Sequence, residues 1–278
     1  MSSVLVFVPG SNSNSFSFAP LLRELTLRGR RALAVDLPGH GYGATFHTAY
    51  QSPQDPSALG AAAAGLAGAT HADNVAHVID VVRRAAALGP VTLIGHSRGG
   101  FTVTGVANAV PDLLHRVVYV SAWCCVDHDA HGYAQGPEYA TSALNDTAGV
   151  LVGDPAELGA LRMNWRTADP ALLAALRTAV HADGTEAEFL AVLNTLEPDE
   201  GLDAGDDRVD PATWGRLPHT YVRLARDRSL PPALQDRFIR EADALTPDNP
   251  FDVRTLDSTH VGFLVHPAEA ADLFADLD

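Results

Sequence analysis

Ser97 lies in Gly95-His96-Ser97-Arg98-Gly99, directly after the apolar run 91–95 and directly before a stretch of helical spacing. A serine in G-x-S-x-G at such a junction has the setting of a nucleophile. The turn strains the backbone and crowds its flanks. Glycine at both flanks relieves the crowding and presents the hydroxyl at the carboxyl end of a sheet. The helix that follows points its amide-rich N-terminus at the site, which favours developing negative charge. The bare motif arises often by chance; its place between a buried strand and a helix gives it weight here.

A serine hydroxyl needs a base, and the base needs an orienting acid. After a nucleophile turn of this kind the partners follow in the order Ser, Asp or Glu, His, each behind a later strand. Asp227 follows the strand-like run 220–225, and His260 follows the run 251–256. Twelve histidines occur, so position rather than residue type selects His260. Asp257 is too near His260 along the chain to approach its ring from behind. Asp127, behind the run 117–122, stays open as an alternative acid. The expected catalytic set is Ser97, Asp227 and His260.

An oxyanion would be held by two backbone amides, one from the residue after the nucleophile and one from the loop after the first strand. These are Arg98 and, in Pro9-Gly10-Ser11-Asn12-Ser13, Ser11, with Gly10 permitting the bend. Gly10, Asn12, the Arg98 side chain and Trp123 are substrate-contact candidates; Asn12 and Ser13 could equally cap the helix that follows. Three weaker patterns are set aside. The glycines of Asp36-Leu37-Pro38-Gly39-His40-Gly41-Tyr42-Gly43 miss dinucleotide-binding spacing by one residue. Asp127-His128-Asp129-Ala130-His131 has metal-ligand residue types but reads as a polar surface loop. Met163, Trp165 and Phe189 read as core of their own region, with some able to line a pocket.

The elements that must position these residues alternate along the chain. Strand candidates are 4–8, 32–36, 91–95, 117–122, 220–225 and 251–256, several continuously apolar as parallel strands buried on both faces are. Helix candidates are 19–28, 72–88, 97–110, 233–244 and 267–277. The alternation predicts an α/β fold with a doubly wound, mostly parallel sheet of about six strands flanked by helices. Residues 52–70 read as a loop excursion. From 123 to 215 the pattern turns helical without strands: 156–163, 170–181 and 186–196, with Asp154-Pro155 and Asp169-Pro170 as capped starts. This predicts a core of 1–122 and 216–278 with a helical cap inserted at 123–215.

Composition narrows the chemistry. The 278 residues are 46% hydrophobic and 19% charged, as in ordinary globular proteins. A net charge of -15 disfavours nucleic acid as a partner. Every basic residue is arginine, which excludes P-loop lysine, Schiff-base and lysine-base chemistry. Cys124 and Cys125 are neighbours, poorly placed to pair, and read as small buried side chains. No apolar run reaches membrane-spanning length, and the run 4–8 is too short for a signal peptide, so the expected location is cytoplasmic, without a membrane partner. The set needs no metal and no cofactor; the partner is a small-molecule ester, and a homodimer is left open.

Placed together, Val8-Pro9-Gly10, Asp36-Leu37-Pro38-Gly39-His40-Gly41, Gly95-His96-Ser97-Arg98-Gly99, Asp227 and His260 resemble the functional loops of the α/β-hydrolase superfamily over essentially the full chain. The chain looks closest to the compact branch of plant methylesterases and hydroxynitrile lyases. It opens at the oxyanion strand, and the segment 227–235 is similar to that branch's acid loop. The best-known lyases of the branch carry threonine at the place of Gly10 and lysine after the catalytic histidine, where this chain has Val261; another lyase type has asparagine in place of Gly10. Both departures imply an esterase. Arg98 is an uncommon neighbour of the nucleophile: it could meet a substrate carboxylate or pair with a nearby acid. The resemblance leaves a lyase or cyclase, a thioesterase and a non-catalytic binding module as alternatives.

Overall fold

Alternate residues of the first strand part to opposite sides. Val4, Val6 and Val8 join one apolar cluster, while Leu5 and Phe7 join another. The same period of two divides Val117 and Tyr119 from Val118 and Val120. Such strands need cover on both faces, which is why they are apolar without interruption. A computed structural model describes residues 2–277. Its main sheet contains β1 (Val4–Val8), β2 (Arg31–Ala34), β3 (Val91–Ser97), β4 (Arg116–Ala122), β7 (His219–Leu224) and β8 (Asp252–Leu256); β5 (Ala160–Arg162) and β6 (Asp199–Gly201) pair apart from it. The order is β2-β1-β3-β4-β7-β8, and every pairing in it is parallel. The doubly wound α/β expectation holds.

The helices are α1 (Ala19–Leu27), α2 (Pro56–Ala61), α3 (His71–Ala86), α4 (Gly99–Ala109), α5 (Ala130–Ala134), α6 (Pro155–Leu158), α7 (Pro170–Val180), α8 (Glu186–Thr195), α9 (Pro232–Leu245), α10 (Gly262–Val265) and α11 (Ala268–Ala275). One face is covered by Val78 and Val82 of α3, Val103 and Val106 of α4 and Phe238 of α9. The other is covered by Leu21 and Leu25 of α1, Phe263 of α10 and Phe274 of α11. Helix α4 is buried from Gly99 through Ala107, so its packing tolerates no extra volume. A Cβ on Gly100 would sit 2.0 Å from the carbonyl oxygen of Trp123. Gly100→Ala is therefore expected to cost about 2–3 kcal/mol of unfolding free energy, read by chemical denaturation; an unchanged midpoint would contradict this packing.

Three expectations need correction. The region 123–215 is not free of strands, because β5 and β6 pair antiparallel through Ala160–Gly201, Leu161–Glu200 and Arg162–Asp199. The expected helix 156–163 stops at Leu158, where Gly159 turns left-handed (φ 65°) and β5 begins. Arg162 and Asp199 form a buried ion pair, with Nε–Oδ1 2.6 Å, so charged residues occupy a strand that apolar periodicity does not reveal. Within 52–70, Asp55 caps α2 and Pro56 opens it. Asp154 and Asp169 cap α6 and α7 as expected. Val150, Leu176, Phe189 and Leu193 form a third apolar cluster, apart from the two that flank the sheet. No helix among the described residues is long and apolar enough to cross a membrane.

Candidate active site

Ser97 is the last residue of β3 and has φ 53°. Among the described residues, Asn12, Ser97 and Ser121 are the only non-glycine residues at positive φ, and all three lie at the carboxyl edge of the sheet or in the loop beyond it. Unfavourable backbone concentrated in one place marks a site held together by its surroundings. The flanking glycines have steric reasons. A Cβ on Gly99 would lie 2.6 Å from the carbonyl oxygens of Val8 and Pro9, and one on Gly95 would lie 2.9 Å from that of Gly99. A Cβ on Gly10 would lie 2.8 Å from the Ser97 Cβ, so the first loop presses its backbone against this serine.

Asp227 and His260 meet as the strand order predicts. His260 Nδ1 lies 2.6 Å from Asp227 Oδ2, with both residues buried. The same Oδ2 accepts from Ser121 Oγ at 2.6 Å, and Oδ1 accepts from the amides of Ser229 at 2.7 Å and Leu230 at 3.0 Å. These bonds fix the carboxylate, which in turn fixes the imidazole. His96 supports His260 from the nucleophile's side, its Nε2 donating to the His260 carbonyl at 3.0 Å and its ring 4.7 Å from the His260 ring. Burial pushes the pKa of His96 well down, with the nearby His260 adding to the effect, so His96 is neutral. Among the described residues, no hydrogen bond joins the Ser97 hydroxyl to the His260 ring. The two rival acids lie elsewhere: Asp257 pairs with Arg226 at 2.8 Å, and Asp127 is exposed.

The loop after β1 is clamped from the far side of the chain. The Asn12 amide donates to Glu200 Oε2 at 2.7 Å, Asn12 Nδ2 donates to the Glu197 carbonyl at 2.8 Å, and the Glu197 amide donates to the Asn12 carbonyl at 2.8 Å. The expected substrate contact by Asn12 is thus corrected: its side chain is buried in this clamp. The expected cap by Asn12 or Ser13 is corrected too, since Asn14 Oδ1 receives the Phe16 amide. The Ser11 N–H has no protein acceptor among the described residues, which separates it from Asn12 as a donor.

Arg98 resolves in favour of a nearby acid. Its Nε lies 3.6 Å from Glu200 Oε1, and its Nη2 donates to the carbonyls of Gly201 at 2.9 Å and Asp203 at 2.8 Å. Glu200 thus meets the side chain of Arg98 and the amide of Asn12, the residue after Ser11. His40 Nε2 stands 3.7 Å from Glu200 and 4.0 Å from Glu197. Burial acts to raise the pKa of Glu200, but His40, Arg98 and the Asn12 amide outweigh it and hold the carboxyl down. Burial likewise opposes charge on His40, and the two glutamates overcome it. Glu197 is pushed up, chiefly by burial. Trp123 is half-buried; its amide donates to the Ser97 carbonyl at 3.1 Å, and its ring stacks on Phe101 at 5.5 Å. Cys124 and Cys125 are buried free thiols, Cys125 pushed up to about 12 by burial.

Glu197, Glu200, His40, His96 and Ser121 carry this arrangement and were not singled out by sequence reasoning. His96 lies inside the nucleophile motif, which is a usable signal. His40 likewise lies inside the loop segment 36–41; for Glu197, Glu200 and Ser121 the partners are distant in sequence, and no periodicity marks them.

A parallel sheet whose third strand ends in a strained serine, with an Asp–His pair delivered by the loops after its last two strands, is the arrangement of α/β-hydrolases. The family model described as "Alpha/beta hydrolase family" matches residues 5–276, and the chain belongs to that family. No curated protein is significantly similar in sequence. Among solved structures, the chain resembles polyneuridine aldehyde esterase, with TM-score 0.72 and 18% identity, covering 100% of this chain and 99% of that one. It also resembles a pyrethroid hydrolase from Sphingobium faniae JZ-2, with TM-score 0.70, 19% identity and coverage of 99% and 98%. Tomato methylketone synthase I is a further neighbour, with TM-score 0.65, 16% identity and coverage of 99% and 96%. At these identities the likeness is one of fold.

Proposed function

We propose that the chain is a serine hydrolase that cleaves carboxylic esters of small molecules through an acyl-enzyme. The observation that carries this reading is the Asp227–His260 bond of 2.6 Å, anchored on both carboxylate oxygens, at the sheet edge where Ser97 is held at positive φ. His260 takes the Ser97 proton as the hydroxyl attacks the ester carbonyl, and Asp227 holds the ring in the tautomer with Nε2 free to accept it. The amides of Ser11 and Arg98 receive the oxyanion, each worth about 3 kcal/mol in the transition state. The alcohol leaves with the proton from His260, and water releases the acid by the same route. Bonds of this kind tighten in the substrate complex, so the Ser97–His260 contact forms there. Likeness to an esterase and a pyrethroid hydrolase supports ester cleavage.

The insertion 123–215 acts in this reading as a cap, since Glu197 and Glu200 grip the first loop and Ala179 and Val180 accept bonds from Ser229 and Val261. Two buried free thiols accord with a reducing, cytoplasmic setting. A panel of p-nitrophenyl esters of increasing acyl length, with an acyl-pantetheine thioester beside it, tests the activity and its range. Ester turnover lost in Ser97→Ala is expected. Ester turnover that survives that substitution would remove Ser97 as the nucleophile and leave His260 as a simple base that activates water.

Glu200 acts in this scheme as a positioning residue for both oxyanion donors. Glu200→Gln is expected to lower kcat about ten- to a hundredfold, with KM little changed, because the donors serve the transition state more than the bound ester. Glu200→Ala is expected to cost about 3 kcal/mol of stability in addition, since Arg98 and His40 lose their buried acid. An unchanged kcat in the glutamine variant would remove Glu200 from the account.

A further inference from the structure

The boundary between the insertion and the core holds a second group of side chains with the geometry of a ligand set. His181, at the C-terminal end of α7, Glu188, in the first turn of α8, and His266, behind α10, each bring one ligand atom within 4.8 Å of the others. We propose that His181, Glu188 and His266 bind a divalent transition-metal cation of the zinc class and so tie the insertion to the loop that carries His260.

His181 is the most deeply buried of the three. Its side chain is 1% exposed, and its Nε2 is buried without a hydrogen-bond partner. The other ring nitrogen explains which tautomer is present. Thr259 Oγ1 donates to Asp183 Oδ1 at 3.0 Å, so the same oxygen can only accept from His181 Nδ1, at 3.3 Å. The proton therefore sits on Nδ1, and Nε2 presents a bare lone pair. A ligating imidazole is held this way, its second nitrogen donating to a hydroxyl or carboxylate behind it.

The His181 imidazole brings a nitrogen within 4.8 Å of the Glu188 and His266 ligand atoms. A Cβ on Gly184 would sit 2.0 Å from Nε2 and 2.1 Å from Cδ2, so only glycine fits against the His181 ring. The next residue, Thr185, donates its amide and its hydroxyl to Glu188 Oε2, at 2.7 and 2.8 Å. These bonds hold the carboxylate at the helix start and leave Oε1 for His266 Nε2, 3.1 Å away. Two imidazoles and one carboxylate form a borderline donor set that suits zinc, with a fourth position for water. Ligand atoms around tetrahedral zinc lie about 3.3–3.5 Å apart, given bonds of about 2.1 Å. The exposed His266 side chain has the freedom to close the remaining distance.

The ion would join three pieces of backbone close to the base. Val261 donates to the Val180 carbonyl at 3.1 Å, directly beside His181, and Thr259, which orients His181, adjoins His260. The proposal does not depend on hydrolysis by Ser97, because its readout is binding.

The test is titration of untagged, chelator-treated full chain with Zn2+ by calorimetry, with the unfolding midpoint measured with and without the ion. One Zn2+ per chain and a raised midpoint are expected. Both should be lost, or the affinity weakened at least tenfold, in His266→Ala and in Glu188→Gln, while His260→Ala keeps them. His266 is exposed and Glu188→Gln preserves the helix cap, so both variants should fold. Binding that persists in both variants, or that disappears only in His260→Ala, would overturn the site, as would no Zn2+ binding by the wild type.

Discussion

Ser97→Ala is expected to lower kcat/KM for ester hydrolysis about a million-fold while leaving the unfolding midpoint within about 1 kcal/mol of the wild type. The two halves of this expectation have separate causes. The Ser97 hydroxyl supplies the only nucleophile in the scheme, and Gly10, pressed against it, has no side chain to replace it. Its removal leaves the proposed oxyanion amides, and such donors with substrate binding give residual catalysis about 10³- to 10⁴-fold above water. The fold does not depend on that oxygen, because Ser97 is held by its backbone. Its carbonyl accepts from Trp123, and Gly10 and Gly99 permit the close approaches around it. A chymotrypsin-like ester assay and a thermal melt check both halves.

Asp227→Asn is the second large effect, about 10⁴-fold in kcat, and its direction follows from the hydrogen bonds. Oδ1 is fixed as an acceptor by two backbone amides, those of Ser229 and Leu230. The new amide must therefore keep its oxygen there and turn its NH2 toward His260 Nδ1, at the place of Oδ2. Facing a donor, the imidazole keeps its proton on Nε2 instead of Nδ1. It then cannot accept the proton of Ser97. Fold and substrate binding should survive, so the loss belongs to kcat rather than KM. A decrease of less than about tenfold would show that Asp227 does not set the tautomer.

The centre of the sheet was legible because parallel strands buried on both faces are apolar almost throughout: 4–8 and 117–122, the latter interrupted only by Ser121, stand out from their surroundings without any partner being known. Asp227 and His260 were legible for a related reason, since each follows a strand, β7 or β8, whose end lies at one edge of the sheet. What escaped the sequence is held by contacts between distant segments. Strands β5 and β6 are three residues each and meet through the buried Arg162–Asp199 pair, so no run of apolar residues announces them. Asn12 reads as a polar loop residue free to meet substrate, yet the Glu197 carbonyl, 185 positions on, claims its side chain. The two destinies of Arg98 were equal on sequence alone and were decided by Glu200, which only the folded chain brings within 3.6 Å. Short-range signals fared better: Asp154-Pro155 and Asp169-Pro170 cap helices because the acceptor and the amides it serves are neighbours.

The central claim is that Ser97 is a nucleophile activated by His260. A fluorophosphonate probe reacts with a serine only where a base has activated it, so it reads that claim without any knowledge of the substrate. The wild type should take up one probe per chain, mapped by mass spectrometry to the peptide that holds Ser97, and Ser97→Ala should take up none. Equal labelling of the two proteins, or a label mapped to another serine, would contradict the account.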